Sequence, residues 1–213
     1  TDLNLILNKN FESISNDVNF VSNKNLEVIK NFEHNYIFLT NGNIVSTNFD
    51  WEEKNKILIK DFNQKETTNL DSGNVLTLLN SALLSGGFEL EIAKNYKLKK
   101  PLVVYNYYSK DLKNKILNNK NSIKLNEGSK LTLIDYSDGN IQSNFIRNTV
   151  DIVSLEENAI MKNILIQNSK SNGHFYRYVK GSLESRSNYE NYILSSGLKL
   201  NKIDIEINLN KDN

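Results

Sequence analysis

The side chains that chemistry would draw on first are the two histidines of this 213-residue sequence. His34 sits in a polar stretch and His174 follows Asn172-Gly173, and neither lies at a metal-ligand spacing from a second histidine. Both are expected as exposed loop residues. The carboxylate pairs Glu52-Glu53 and Glu156-Glu157 are adjacent in sequence, which in a strand or turn points them apart, so neither pair makes a glycosidase-type couple and both read as solvated turns. Gly86-Gly87 precedes an alternating strand, whereas a phosphate-cradling loop opens a helix, so a helix terminator is the better account. Tyr107-Tyr108 and Phe175-Tyr176-Arg177-Tyr178 interleave aromatics with Lys110, Arg177 and Lys180, a pattern able to stack bases. With 26 Lys and Arg against 25 Asp and Glu, however, the electrostatic footprint of nucleic-acid or acidic-membrane binding is missing, and these aromatics are expected on outward strand faces or in an interface patch. Gln167 closes an apolar strand; if it faces inward it needs a partner, as part of a polar ladder or of something functional.

Cysteine is absent, which removes a disulfide framework, a thiolate nucleophile and any cysteine-ligated zinc or iron–sulfur cluster held by this segment itself. No apolar run approaches a membrane span and no targeting segment opens the chain, so a cytoplasmic location is the default expectation. Asn is abundant and Gly scarce; Asn tolerates left-handed backbone angles and can fill turns that glycine normally occupies.

Stepping along the chain, residues Leu3 to Glu33 carry apolar side chains at loose helical spacing and read as short helices. Tyr36 to Leu39 and Ile44 to Ser46, joined by Asn41-Gly42-Asn43, read as a hairpin. The segment Asp71 to Leu84 puts Val75, Leu78, Leu79, Ala82 and Leu83 on one helical stripe, opens with a capping sequence and ends at Gly86-Gly87. After those glycines the period changes to strict alternation, with Phe88, Leu90 and Ile92 opposite Glu89 and Glu91. Strands dominate from there, including Gly181 to Asn188, Tyr189 to Ser195 and Lys202 to Leu209.

Leu125-Asn-Glu127-Gly128-Ser129-Lys-Leu131 aligns with Leu155-Glu-Glu157-Asn158-Ala159-Ile-Met161, each a strand, an acidic turn, a small residue and a strand, at a period of about 30 residues typical of solenoids. A β-sandwich accounts for the same strand density, but similar units joined by very short turns favour a stack in which each coil buries its apolar face against its neighbours. The expected fold is therefore mainly β: a right-handed parallel β-helix over residues 88–213, preceded by a small α/β region over 1–87 made of helices and a hairpin.

The unit Asn148 to Gln167, followed by His174, Leu194-Ser-Ser-Gly197 and Lys202-Ile-Asp204-Ile-Glu-Ile-Asn-Leu209, resembles the core of the SufB/SufD family of iron–sulfur cluster assembly proteins. Upstream, Ile37-Phe-Leu-Thr-Asn-Gly42 is similar to the family's early strand-and-glycine segment. Leu79-Asn80-Ser-Ala82-Leu, followed by Gly87-Phe-Glu-Leu-Glu-Ile92, is similar to its helix entering the first coil, in the manner of SufD more than SufB. Lys202 and Asn210 stand where the family tends to have Arg and Gly.

The resemblance implies a SufD-like scaffold that acts with a SufB-like paralogue and a SufC-like ATPase, without catalysis of its own and without a cofactor bound by this segment. It also implies truncation: in the family the β-helix continues beyond the equivalent of Asn213, and a C-terminal helical region docks the ATPase. The family's functional cysteine and histidine lie in that later part, so no catalytic, cofactor-binding or metal residue carries over to this sequence. The rival expectation, on architecture alone, is a carbohydrate-binding or adhesive β-helix protein. That rival calls for convergent carboxylates or basic residues along one groove.

Overall fold

The computed structural model describes residues 12–13, 29, 31–62, 75–138, 144–168 and 173–210. Its strands are β1 (Glu12–Ser13), β2 (Asn35–Thr40), β3 (Asn43–Asn48), β4 (Ile57–Asp61), β5 (Phe88–Ile92), β6 (Leu102–Tyr107), β7 (Lys115–Leu125), β8 (Lys130–Asp138), β9 (Ile146–Leu155), β10 (Ile160–Asn168), β11 (His174–Leu183), β12 (Asn188–Ser196) and β13 (Leu200–Leu209), with one helix, α1 (Val75–Ala82).

The chain alternates between two sheets: β5, β7, β9, β11 and β13 lie side by side in one, here sheet A, and β6, β8, β10 and β12 in the other, sheet B. Every pairing between successive coils is parallel. Short turns joining parallel strands of different sheets generate a β-solenoid of about four turns, in agreement with the expected parallel β-helix. The repeat aligned in the sequence is the repeat in space, since Leu125 pairs with Leu155 and Leu131 with Met161. Its period shortens along the stack, from 30 residues between Asn118 and Asn148 to 28 between Gln167 and Ser195.

The acidic turns need one residue in the left-handed region, and Asn95, Gly128, Asn158 and Arg186 supply it at φ of 59°, 67°, 58° and 58°. Successive turns are bonded to each other, with the N–H groups of Asn95, Gly128 and Asn158 donating to the carbonyls of Glu127, Glu157 and Ser185 at 2.7, 2.9 and 3.1 Å. This corrects the reading of Gly181 to Asn188 as one strand: β11 ends at Leu183, and Ser185 and Arg186 form the turn. The cause is the backbone, because positive φ at Arg186 breaks the pleat where composition alone reads through.

The core fills the narrow space beside the turns, where the inward residues Ile123, Leu125, Leu131, Leu133, Val153, Leu155, Met161, Val179 and Leu183 pack together. Ile37, Leu39, Phe88, Leu90 and Ile92 belong to the same cluster, so strands preceding the coils share their core. The expected hairpin is present as antiparallel β2 and β3 around Asn41 and Gly42, both at positive φ. In it β2 adds to sheet B in parallel with β6, and β4 adds to sheet A antiparallel to β5. The stack thus begins with antiparallel pairings at the edge of both sheets.

The expectation of short helices over Leu3 to Glu33 falls mostly outside the described residues; within that stretch Glu12 and Ser13 instead form a strand parallel to β7. The helix at 75–82 is found, and its expected cap at 71–74 lies outside the described residues. Its orientation differs from the stripe argument. Leu76, Thr77 and Asn80 are buried, while Val75, Leu78 and Leu83 are 49 %, 55 % and 40 % exposed. The reason is polar: the Asn80 side-chain amide donates to the backbone carbonyls of Asn119 and Asn148 at 2.9 and 2.8 Å, and Asn148 returns a bond to the Leu76 carbonyl at 2.8 Å. Buried side-chain amides must be hydrogen-bonded, and these three bonds fix the face that α1 turns to the sheet, although three aliphatic side chains stay exposed.

Candidate functional site

Alternation places odd-numbered residues of β7, β9 and β11 inside the coil. Beyond the leucine layer that inward row turns polar: Asn121, Arg147, Thr149, Asp151 and Arg177 from sheet A meet Asn106, Asp135, Ser137, Asn163 and Gln167 from sheet B. Arg177 lies at the centre. Its Nη1 forms an ion pair with Asp135 Oδ2 at 2.7 Å and its Nε donates to Asp151 Oδ2, bridging the two sheets. The remaining carboxylate oxygens accept from Asn106 at 2.7 Å and from Asn121 at 2.8 Å. Burial disfavours the charge on Arg177, and Asp151 and Asp135 more than offset that, so the guanidinium is held firmly charged.

Arg147 has no carboxylate of its own. It donates to Thr149, Ser137 and Asn106 at 3.0, 3.3 and 3.4 Å, and its guanidinium lies 5.6 and 5.5 Å from the ring centres of Tyr108 and Phe175. Tyr108, Phe145 and Phe175 pack edge to face and tilted, with centroids 5.4 to 5.6 Å apart, closing the layer on that side. Burial pushes the Tyr108 hydroxyl up, so it stays protonated at 3.4 Å from Ser137 Oγ. Two arginines and two aspartates thus balance in a buried layer, in which the carboxylates are spoken for by donors and by Arg177. A cavity of about 20 Å³ beside Arg147, Gln167 and Asn201 has room for one water, not for a substrate.

The residues singled out from the sequence scatter. Gln167 does face inward: its Oε1 accepts from Ser195 at 2.6 Å, its Nε2 donates to the Ser196 carbonyl at 2.9 Å, and it stacks in register on Ser137, which makes it a polar ladder. Phe175 and Arg177 also face inward, contrary to the expected outward patch, and Tyr176 and Tyr178 pack under α1. Tyr108 is likewise interior, while Tyr107 packs against Phe38, Val103 and Tyr105. Lys180 is half-buried on the outer face, and the side chain of Lys110 lies outside the described ones. Strand parity is the cause: within an alternating aromatic run every second ring must turn inward.

His34 is not an exposed loop residue, being 7 % exposed. Its Nδ1 lies 2.9 Å from the Phe32 carbonyl and its Nε2 2.8 Å from the Tyr105 hydroxyl, which also accepts the Ile29 N–H at 3.0 Å. The Phe32 carbonyl can only accept, so Nδ1 carries the proton and Nε2 accepts from the Tyr105 hydroxyl. His174 opens β11 and is half-buried, in place of the expected coil.

Glu52 is buried too. Its carboxylate accepts from Asn35 at 2.8 Å, Tyr96 at 2.7 Å and the N–H groups of Lys99 and Lys100 at 3.0 and 3.1 Å. Glu53 stays exposed, and Glu156 and Glu157 occupy the turn as expected, in contact with Lys124 and Arg186. These turns offer no convergent pair for carbohydrate chemistry. Gly86-Gly87 does not itself end the helix: α1 stops at Ala82, and Gly86 forms a parallel bridge with Asn119, while at Gly87, with φ 138°, a Cβ would fall 1.8 Å from the Lys120 carbonyl.

Sequence reasoning missed Arg147, Asp135 and Asp151. Parity counted back from Leu155 marks Asp151 as inward, in register with Asn121, so half of that signal was present.

Among the described residues, no group of three or more metal-ligating side chains comes together and no helix is long and apolar enough to cross a membrane. Stacked parallel coils with a charge-balanced polar interior define a β-helix core, in which each coil is a template for its neighbour. Residues 107–213 match the family model described as SUF system FeS cluster assembly, SufBD core domain, and the chain belongs to that family. Membership places it in SUF iron–sulfur cluster assembly and in a SUF complex. Among curated proteins, no relative matches.

Proposed function

We propose that this chain is a SufD-like scaffold subunit of the SUF complex, pairing with a SufB-like β-helix paralogue and a SufC-like ATPase, with no reaction and no resident cofactor of its own. The observation that carries this reading is the closure of the coil interior. Arg177 pairs with Asp135 and Asp151, Arg147 supplies the second positive charge of the layer, Asn106 and Asn121 cap the remaining carboxylate oxygens, and among the described residues no interior carboxylate is left as a free base. The sequence also holds no cysteine to accept sulfur or ligate iron. An interior of this kind fixes shape, and a fixed shape is what a scaffold contributes.

The test is co-expression of this protein with a SufB-like paralogue and a SufC-like ATPase from the same source, with affinity capture of one partner. Recovery of all three in fixed ratio, with cluster formation lost when this chain is omitted, supports the proposal. Recovery only as a monomer that binds or cleaves polysaccharide overturns it.

A further inference from the structure

The outer face of sheet A beneath α1 contains one charge-bearing group that the scaffold does not use. Lys120 on β7 is 1 % exposed, and its Nζ has no hydrogen-bond partner. The ring of Phe62, 5.2 Å away, lies over it. The backbone there is fixed, since Lys120 N–H donates to the Gly86 carbonyl at 3.0 Å and the Lys120 carbonyl crowds Gly87.

Among the described residues, the neighbouring strands and helix bring it no counter-ion. From β4 and β5, Lys60 and Glu89 pair with each other at 2.9 Å, and Asp61 is exposed. From β9, Val150 is the register partner, while Arg147 and Asp151 point to the opposite side of the sheet, into the coil. α1 carries no charged residue at all. The same seam leaves Asn80 Oδ1, Asn118 Nδ2 and Asn148 Oδ1 without protein partners. α1 is thus seated on a layer that is incompletely satisfied, and desolvation lowers the affinity of the Lys120 amine for its proton.

We propose that Lys120 is a proton-sensitive seat for α1: the uncharged amine lets α1 close over sheet A, and the charged amine loosens it. A loosened α1 presents Val75, Leu78 and Leu83 more freely, and these are already its exposed side.

The sign follows from linkage. A lysine whose folded-state proton affinity is depressed stabilises the closed form progressively as pH rises from its lowered titration point to the unfolded value of about 10.4, and contributes no further slope on either side. Hydrogen exchange of the α1 amides, corrected for intrinsic rates, reads this directly. In the wild-type chain, protection of residues 76–83 is expected to rise by up to about tenfold per pH unit inside that interval. Lys120→Met keeps the length without the charge and should give high protection with no slope. Lys120→Arg is charged throughout and should give low protection with no slope. A wild-type slope retained in Lys120→Met overturns the proposal. Should that variant fail to fold, a titration of the Lys120 amine by nitrogen NMR in the wild-type chain decides: titration together with the exposed lysines overturns it, and titration at lower pH supports it.

Discussion

Arg177 on β11 forms an ion pair with Asp135 on β8 at 2.7 Å, a contact that crosses the coil interior and ties sheet A to sheet B. The two residues sit on different sheets and different coils, so the contact exists only once the chain has wound back on itself.

Removing one partner of that network should be severe. Asp135→Ala leaves Arg177 with Asp151 alone and strips Asn106 of its acceptor. A loss of about 3–5 kcal/mol is expected in urea unfolding, as for a broken buried pair. Asp135→Asn, which keeps shape and one acceptor, should cost less.

Acid should weaken the join between the hairpin region and the first coil. Burial works to raise the Glu52 carboxyl, but bonds from Asn35, Tyr96 and the N–H groups of Lys99 and Lys100 outweigh it and hold the group below the usual carboxylate range. A depressed carboxyl contributes stability above its unfolded pKa of about 4.3, and that contribution is lost as pH falls through the lower folded value. Glu52→Gln should therefore be less stable near neutrality by about 1–3 kcal/mol and show a flatter acid limb in the same unfolding assay.

Left-handed turn positions should sort substitutions by backbone. Gly128→Ala places a Cβ at φ 67° and 2.4 Å from Asn95 Oδ1, and a cost of about 1–2 kcal/mol in thermal unfolding is expected. Asn158→Gly, at φ 58° in the next turn, should be neutral or slightly stabilising.

The helix seat rests on one amide. Asn80→Ala removes both bonds to the Asn119 and Asn148 carbonyls and leaves them buried. Stability should drop by about 1–3 kcal/mol, with hydrogen exchange of α1 rising more than that of β9. Uniform acceleration across the coils would contradict the local role given to Asn80.

What the sequence determined by itself is the coil. Alternation with period two, a recurring leucine before each turn and an Asn or Gly tolerant of positive φ specify parallel strands stacked at about 30 residues, because pleat and turn are local properties of the backbone. Parity even implies that Gln167 faces inward, and it does. The tertiary structure alone decided which inward polar groups meet. Arg177 finds Asp135 and Asp151 because two sheets close around a shared interior, and no periodicity in one strand reports what the opposite sheet presents. It likewise decided that α1 turns Asn80 inward and leaves Leu78 in solvent, since the strand carbonyls to which Asn80 donates are invisible to a helical stripe. His34 and Glu52 follow the same rule: each looked like an ordinary surface group in its own segment, and became buried only when another part of the chain closed over it.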